Sequence, residues 1–188
     1  REALFSMLVS SGLFAVAEDG LVASPRRVLD LYAGSGALGL EALSRGAESV
    51  VMVESARPAL QAIRENVSSL QVEDQVTLLS THVERALTTL LNEAESDPEK
   101  RFDLIVVDPP YAEVRSKTFE RDVLEKSARL LAAAGIFVLE HSSEDEPLVP
   151  GLHLDRRRRY GDTTLSLFVS EERGEEAEPE DDAEDSLA

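Results

Sequence analysis

The chain has 188 residues, 43% of them hydrophobic, which corresponds to about one domain with a substantial core. It has no cysteine, and its three histidines, His82, His141 and His153, have no ligand spacing, so neither disulfides nor a metal site are predicted. A net charge of −18 argues against a general nucleic-acid binder. No apolar run approaches the ~20 residues that span a bilayer, so we expect a cytoplasmic protein without a membrane partner. We also expect it to be a monomer.

Apolar periodicity predicts helices and strands in alternation along most of the chain. Helices are predicted at 2–14, 37–45, 59–70, 83–91 and 119–133. Strands are predicted at 27–31, 49–54, 75–80, 102–108 and 136–142. A polar loop is predicted at 92–101, and an antiparallel pair of strands is predicted around the segment RYGDT near the end of the chain. Because the first five strands are continuous apolar runs, they predict an α/β fold with a mostly parallel sheet and helices on both faces.

The charge pattern divides the chain into a folded body and a tail. We predict one domain at 1–170, with an N-terminal helix within 1–15. Residues 171–188 contain ten acids and one arginine and have almost nothing apolar to bury, so a disordered acidic tail is predicted there.

Polar residues gather where the predicted parallel strands end, at Asp30, Glu54, His82, Asp108 and the pair Glu140 and His141. In open α/β sheets, ligands bind in the crevice beyond the carboxyl ends of the strands. The sequence therefore predicts a binding site along this edge.

The glycine-rich segment GSGALG at 34–39 admits two cofactor interpretations. With Glu54 following at a suitable distance, it matches the G-x-G-x-x-G fingerprint of dinucleotide-binding proteins. Asp30, however, would oppose a pyrophosphate, whereas it suits the sulfonium and amino groups of S-adenosylmethionine. Glu54 can accept ribose hydroxyls from either cofactor, and for Gly39 alone we favour close packing of helix against strand.

The segment DPPY, Asp108 to Tyr111, follows the fourth strand. The prolines by themselves are explained as terminators of the strand. A second interpretation uses all four residues: Asp108 and a backbone carbonyl held by the prolines accept the two N–H groups of a nucleobase amine, and Tyr111 stacks on the base. The lone pair of the amine would then point at an electrophilic methyl group, and positioning would supply most of the rate gain.

Five segments together resemble the bacterial 16S ribosomal RNA guanine-N2 methyltransferases, which modify the small ribosomal subunit. They are REALF, LDLYAGSGALGLEALSRGA, VVDPPY, LLAAAGIFVLEHS and YGDT, and the resemblance extends from Arg1 to about Val169. It implies the Rossmann-like fold of class I S-adenosylmethionine-dependent methyltransferases, with a seven-stranded sheet whose last strand is antiparallel. It also implies S-adenosylmethionine as methyl donor, S-adenosylhomocysteine as product, and 16S rRNA, within the small subunit or an assembly intermediate, as partner.

Carried over by position, the resemblance implies two sets of site residues. The cofactor set is Asp30, Ala33, Gly34, Ser35, Gly36, Glu54, His82, Val83 and Asp108, and the catalytic set is Asp108, Pro109, Pro110 and Tyr111. His82 stands where the family often has an acid or amide facing the adenine amino group; a neutral imidazole could accept that hydrogen bond, and the N–H of Val83 could serve the adenine ring. The opposing interpretation is that His82 is simply exposed.

RNA contacts are predicted at Tyr111, Arg115, Lys117 and Arg121, where a phosphate beside a flipped base could be clamped. An ordinary solvated helix start explains the three basic residues nearly as well. The run RRRR at 156–159 is either a contact for RNA or ribosomal protein or, slightly favoured, a charged edge strand that resists aggregation. The family usually has a basic segment before REALF; without it we expect weaker RNA affinity.

Three other functions remain open at this point. A methyltransferase acting on DNA or on another amine could use the same DPPY geometry. A nicotinamide-dependent oxidoreductase could use GSGALG, although no hydride-transfer residue is evident. A cofactor-binding but inactive module of a larger assembly is the third.

Overall fold

A computed structural model describes residues 2–15, 25–110, 114 and 116–170. Within them, seven strands form one sheet in the order β3-β2-β1-β4-β5-β7-β6. The first five strands pair in parallel, and β7 runs antiparallel to both β5 and β6. The prediction of a mostly parallel seven-stranded sheet with an antiparallel last strand is confirmed. The acidic tail at 171–188 lies outside the described residues.

The strands and helices alternate in the predicted order. The strands are β1 (Arg27–Leu31), β2 (Ser49–Glu54), β3 (Val76–Ser80), β4 (Phe102–Val107), β5 (Leu131–Ser142), β6 (His153–Tyr160) and β7 (Thr163–Val169). The helices are α1 (Glu2–Ser10), α2 (Ala37–Ser44), α3 (Arg57–Leu70), α4 (Val83–Ser96), α5 (Lys117–Phe119) and α6 (Glu125–Ala128), with a π-helical segment (Glu120–Leu124) joining the last two. Short 3₁₀ helices occupy Glu73–Gln75 and Pro98–Lys100.

Side chains alternate between two apolar layers, one on each face of the sheet. On one face, α1, α2 and α3 pack against strand residues such as Val28, Met52 and Val106. On the other face, α4 and the helices after β4 pack against residues such as Leu29 and Val107. Because both faces are covered, the central strands are mostly apolar, as predicted.

The first predicted helix ends earlier than expected, at Ser10 rather than at residue 14. Gly12 has φ +85°, and the N–H groups of Gly12 and Leu13 bond back to the carbonyls of Val9 and Leu8. This is the αL termination that glycine favours at the end of a helix, because it has no Cβ to clash.

Two other predicted boundaries are wrong for packing reasons. The polar loop at 92–101 is instead mostly helix, since α4 continues to Ser96 and buries Ala94 against the core. The helix predicted to reach residue 133 ends at Ala128. Leu130 and Leu131 are buried, and the Leu130 carbonyl accepts a hydrogen bond from the N–H of Phe102, so the chain enters β5 at Leu131.

Gly39 lets helix α2 approach the sheet closely, which agrees with the packing role favoured from the sequence. A Cβ at this position would lie 2.7 Å from Cε of Met52, 2.9 Å from Cγ2 of Val50 and 3.2 Å from Oδ2 of Asp30. The valine methyl has little freedom to move because its side chain is β-branched.

We therefore predict that Gly39→Ala lowers the free energy of unfolding by about 1–3 kcal/mol through overpacking, although alanine is the better helix former. Urea unfolding at constant pH measures this change. Ser44→Ala, on the exposed side of the same helix, is the control and should stay within about 0.5 kcal/mol of the wild type. Unchanged or increased stability of Gly39→Ala would contradict the packing role.

Candidate active site

Four acids lie in neighbouring strands near the carboxyl edge of the sheet: Glu54 (β2), Asp30 (β1), Asp108 (after β4) and Glu140 (β5). The pairing of Val107 with Leu139 puts Asp108 and Glu140 at corresponding positions, and Asp30 pairs with Val106, two residues before Asp108. Because side chains alternate along a strand, these acids project toward the face that carries α1 to α3. The sheet register thus brings together residues that are up to 110 positions apart in the sequence.

The glycine turn after β1 is tied to β2 through Glu54. Oε2 of Glu54 accepts a hydrogen bond from the N–H of Gly34 (2.9 Å), and Oε1 accepts from the N–H groups of Ser55 and Ala56 (2.7 Å each). A carboxylate offers about four acceptor positions. Three of them are filled by backbone amides, so one position, on Oε2, is left for a ligand hydroxyl.

The turn itself depends on two glycines in the left-handed region. Gly34 has φ +56° and Gly36 has φ +76°, and the N–H of Gly36 donates to the carbonyl of Ala33 at 2.7 Å. Ala33 is buried, whereas Ser35 is exposed and its carbonyl accepts a hydrogen bond from Nδ2 of Asn66 at 3.0 Å. The turn is therefore held in shape from both sides, by Glu54 and by Asn66.

Asp30 lies beneath this turn, with only 1% of its surface exposed. Its Oδ2 accepts a hydrogen bond from the N–H of Gly39 at 2.9 Å, and its buried Oδ1 has no partner among the described residues. Burial raises the pKa of Asp30 to about 7; the Gly39 N–H opposes this rise, and the charges of Asp108 and Glu54 add to it. The acid predicted to face a cationic ligand directly is thus placed under the glycine turn, where its protonation is finely balanced near neutral pH.

Asp108, Pro109 and Pro110 line one cavity; Pro109 is buried and Pro110 is exposed. The N–H of Asp108 donates to the carbonyl of Leu31 at 3.4 Å, which continues the pairing of β4 with β1. Burial raises the pKa of the Asp108 carboxyl, which is half-buried. Tyr111, the fourth residue of the segment, lies outside the described residues.

The cavity has a volume of about 520 Å³ and runs from Asp108 toward the start of α4. His82 is exposed, lines this cavity and precedes the first turn of α4, whose first residue, Val83, also lines it. Backbone N–H groups in the first turn of a helix have no intrahelical partners and are therefore donors for a ligand. Glu54, His82, Val83, Asp108 and both prolines thus share one cavity.

Other residues of the site were not predicted from the sequence. Tyr32, Ser55, Ala56, Thr81 and Glu84 also line the cavity. Tyr32 has φ +61°, and its ring lies 6.5 Å from the ring of Phe119. A tyrosine between the strand and the glycine turn was visible in the sequence, but nothing there indicated that its backbone would be left-handed.

The predicted RNA contacts are described only in part. Arg121 is exposed, and its Nε and Nη2 donate to the two carboxylate oxygens of the adjacent Asp122 at 3.1 and 2.6 Å. Its charge is thus already paired, which favours the solvated-helix interpretation for this residue. Lys117 lies in α5, but its side chain is outside the described residues, as is the whole of Arg115.

The basic run forms half of β6, which is an edge strand of the sheet. Arg156 donates to Oγ of Ser10 on the α1 face, whereas Arg157 forms an ion pair with Glu146 (3.3 Å) and donates to Ser166. Alternation therefore divides the arginines between two faces, as expected from the sequence. Edge strands rich in charge resist pairing with other chains.

Two kinds of site are absent from the described part of the chain. No group of three or more metal-ligating side chains is found there. None of the helices in these ranges is long and apolar enough to cross a membrane.

Comparisons with known proteins identify the family. The profile of the family described as "Conserved hypothetical protein 95" matches residues 1–169. The chain belongs to this family. It is 35% identical over 144 residues to the "Putative rRNA methyltransferase YlbH" of Bacillus subtilis, covering 76% of this chain and 74% of that protein. It is 30% identical over 155 residues to "Ribosomal RNA small subunit methyltransferase D" of Escherichia coli, covering 78% and 70%.

A solved structure similar to this chain has the same fold. The structure titled "Putative methyltransferase yhhF from Escherichia coli" superposes with a TM-score of 0.63 at 26% identity, covering 89% of this chain and 83% of that one. The fold is thus the Rossmann-like fold of class I S-adenosylmethionine-dependent methyltransferases. The family resemblance noted in the sequence is confirmed.

The raised pKa of Asp30 predicts how stability depends on pH. Because the folded protein holds this proton more tightly than the unfolded chain does, the stabilisation is fully present below the ordinary pKa of 3.8 and is lost as the pH rises through about 7. Between pH 4 and pH 8, the stability of Asp30→Asn should rise relative to that of the wild type by roughly 3–4 kcal/mol.

Denaturant unfolding of both proteins across this range measures the difference, and Asp74→Asn serves as an exposed control. A constant difference between Asp30→Asn and the wild type would show that Asp30 ionises normally in the fold.

Proposed function

We propose that this protein is an S-adenosylmethionine-dependent methyltransferase that modifies the exocyclic N2 amino group of a guanine in 16S ribosomal RNA. The observation that carries the proposal is the position of Asp108. It is a half-buried carboxylate followed by two prolines, and it lines the same cavity as Glu54 and the start of α4.

Several features of the crevice suit S-adenosylmethionine rather than a nicotinamide dinucleotide. Asp30 and Asp108 repel a pyrophosphate but favour a cation, and the unpartnered Oδ1 of Asp30 can act through a bridging water or a small shift of the turn. The left-handed Gly34 and Gly36 allow a ligand to lie against the backbone. The relatives named above are methyltransferases, which agrees with this choice.

The residues that would hold the cofactor are divided between the two ends of the cavity. Glu54 retains one acceptor position for a ribose hydroxyl, and its rigid backbone contacts fix where that hydroxyl is held. His82 and the N–H of Val83 would face the adenine. When bound, S-adenosylmethionine supplies an electrophilic methyl group and becomes S-adenosylhomocysteine.

On the acceptor side, the chain has to orient a weak nucleophile. The lone pair of an exocyclic amine is delocalised into the base, so hydrogen bonds to its two N–H groups are needed to aim it. Asp108 would accept one, and the carbonyl of Pro109, whose φ is restricted by its ring, would accept the other. Transfer removes one proton from the nitrogen, and a carboxylate whose pKa is raised by burial, as that of Asp108 is, is a suitable acceptor.

The RNA substrate is proposed from the relatives. The Bacillus subtilis and Escherichia coli proteins carry names that specify ribosomal RNA, and the latter name specifies the small subunit. We infer that this chain acts on the same RNA in the cytoplasm, as a monomer, through one methyltransferase domain at 1–170 with a disordered tail at 171–188. Tyr111, Arg115 and Lys117 remain proposed contacts for the base and its phosphates.

Asp108→Ala should reduce methyl transfer by about 100-fold or more, because the variant neither orients the amine nor stabilises the charge that develops on it. Binding of S-adenosylhomocysteine, measured by calorimetry, should remain within a few-fold of the wild type. Asp74→Ala, at an exposed turn, is the matched control. Full activity of Asp108→Ala would remove the proposed role.

The substrate is tested with labelled S-adenosylmethionine and four acceptors: unmodified small subunits, naked 16S rRNA, DNA and a protein mixture. We expect label in rRNA, recovered as N2-methylguanosine after digestion to nucleosides. Transfer only to DNA or protein would contradict the RNA assignment. Calorimetry with NAD should show no binding, whereas S-adenosylhomocysteine should bind.

A further inference from the structure

Glu140 lies next to Asp108 on the side away from the cofactor. The sheet order places β2, β1 and β4 in succession, and β5 follows β4 on the far side. Residues proposed for the cofactor come from β1, β2 and the start of α4, so β5 borders the acceptor side of Asp108. Glu140 does not line the cofactor cavity, but it occupies the strand position that corresponds to Asp108.

The two carboxylates are close and unpaired. Neither has a hydrogen bond or ion pair with the described residues, although both are half-buried. Burial, and then the charge of Asp108, raises the pKa of Glu140. Placing two half-buried acids side by side on neighbouring strands costs stability, which argues that they serve a ligand rather than the fold.

A third acid at this edge, Asp30, is also buried and incompletely hydrogen-bonded. Asp30 has a buried carboxylate oxygen without a partner among the described residues, and the charge of Asp108 contributes to the raised pKa of Asp30. By contrast, Glu146 and Asp122, on the surface nearby in sequence, are paired with arginines. The crevice acids differ in being buried or half-buried without an arginine or lysine partner among the described residues, and a ligand rich in hydrogen-bond donors would satisfy them.

Guanine presents such donors side by side. On its Watson–Crick edge, the N1–H lies next to the N2 amino group, whereas the ring nitrogen at this position in adenine and cytosine is an acceptor. A carboxylate accepts hydrogen bonds and donates none when ionised, so it attracts the guanine edge and opposes the other two. Proteins that act on flipped bases read them by this edge.

We infer that Glu140 accepts the N1–H of the target guanine while Asp108 holds its N2 amino group, so that the paired acids select guanine. The inference rests on the proposed function and adds the residue that determines its base specificity. The contribution of Glu140 is to substrate recognition and orientation, because it is one strand further from the cofactor than Asp108.

The first test compares Glu140→Gln with Glu146→Gln. Both variants lose one negative charge near the same edge, and Glu146 is an exposed residue outside the crevice. A general charge effect would make both variants bind RNA slightly better. We expect instead that Glu140→Gln lowers kcat/KM for rRNA methylation by roughly 10-fold, because a neutral amide oxygen accepts the N1–H more weakly than a carboxylate does, while Glu146→Gln stays within about 2-fold. Binding of S-adenosylhomocysteine should be unchanged in both.

The second test compares two RNA substrates of the wild-type protein, so its main result does not depend on whether a variant folds. At the methylated position, 2,6-diaminopurine is ligated into the RNA in place of guanine; it keeps the N2 amino group but has an acceptor at N1. The wild type should methylate it at least ~10-fold less efficiently, because a carboxylate would face a lone pair. Glu140→Gln, whose amide can donate to that nitrogen, should reduce this discrimination.

The outcomes separate the two proposals. If the wild type transfers no methyl group to RNA, the proposed function is wrong, and the role of Glu140 falls with it. If the wild type is active but Glu140→Gln behaves like Glu146→Gln, or if guanine and 2,6-diaminopurine react equally, the role of Glu140 is refuted and the proposed function stands.

Discussion

Asp30, the second-to-last residue of strand β1, has a carboxylate that is almost fully buried and that accepts a hydrogen bond from the N–H of Gly39 in the first turn of α2. This hydrogen bond joins the first strand to the first helix of the crevice, and it requires that Gly39 lack a side chain. The glycine turn between them is then confined, because Gly34 is bonded to Glu54 on the neighbouring strand. Asp30 and Glu54 together thus fix the position of the glycine turn.

The cost of this arrangement is electrostatic. The crevice collects carboxylates and, among the described residues, contains no arginine or lysine ion-paired to Asp30, Asp108 or Glu140. Burial therefore shifts their pKa values upward, which is common where a site is shaped for a ligand rather than for stability. Such a row of acids complements the cationic methyl donor and the donor-rich guanine edge that we propose as its ligands.

The acidic chain can still act on RNA because its charges are unevenly distributed. The strongest local basic segment is the edge strand β6, which lies two strands beyond β5 on the acceptor side of the sheet. RNA recognised through base edges and shape requires fewer phosphate contacts than sequence-independent binding, whose affinity comes mainly from cations. The net charge of −18 therefore limits general binding to RNA more than it limits recognition of one exposed base.

The order of strands and helices follows from the amino-acid pattern because burial on both faces demands continuous apolar strands, and the predicted bounds of β1 and β2 agree with the structure. Glu54 and Asp108 were identifiable as site residues because parallel strands end at a common edge. The end of α1 and the start of β5 were not predicted correctly. The first depends on a glycine with a left-handed backbone, and the second depends on the packing of Leu131 against β4. Only the folded chain decides that Asp30 is buried, that Glu54 accepts three backbone amides, and that Glu140 lies beside Asp108 on the neighbouring strand. The physical reason is that hydrogen bonds and sheet register join residues that are far apart in the sequence, and no local pattern indicates such a contact.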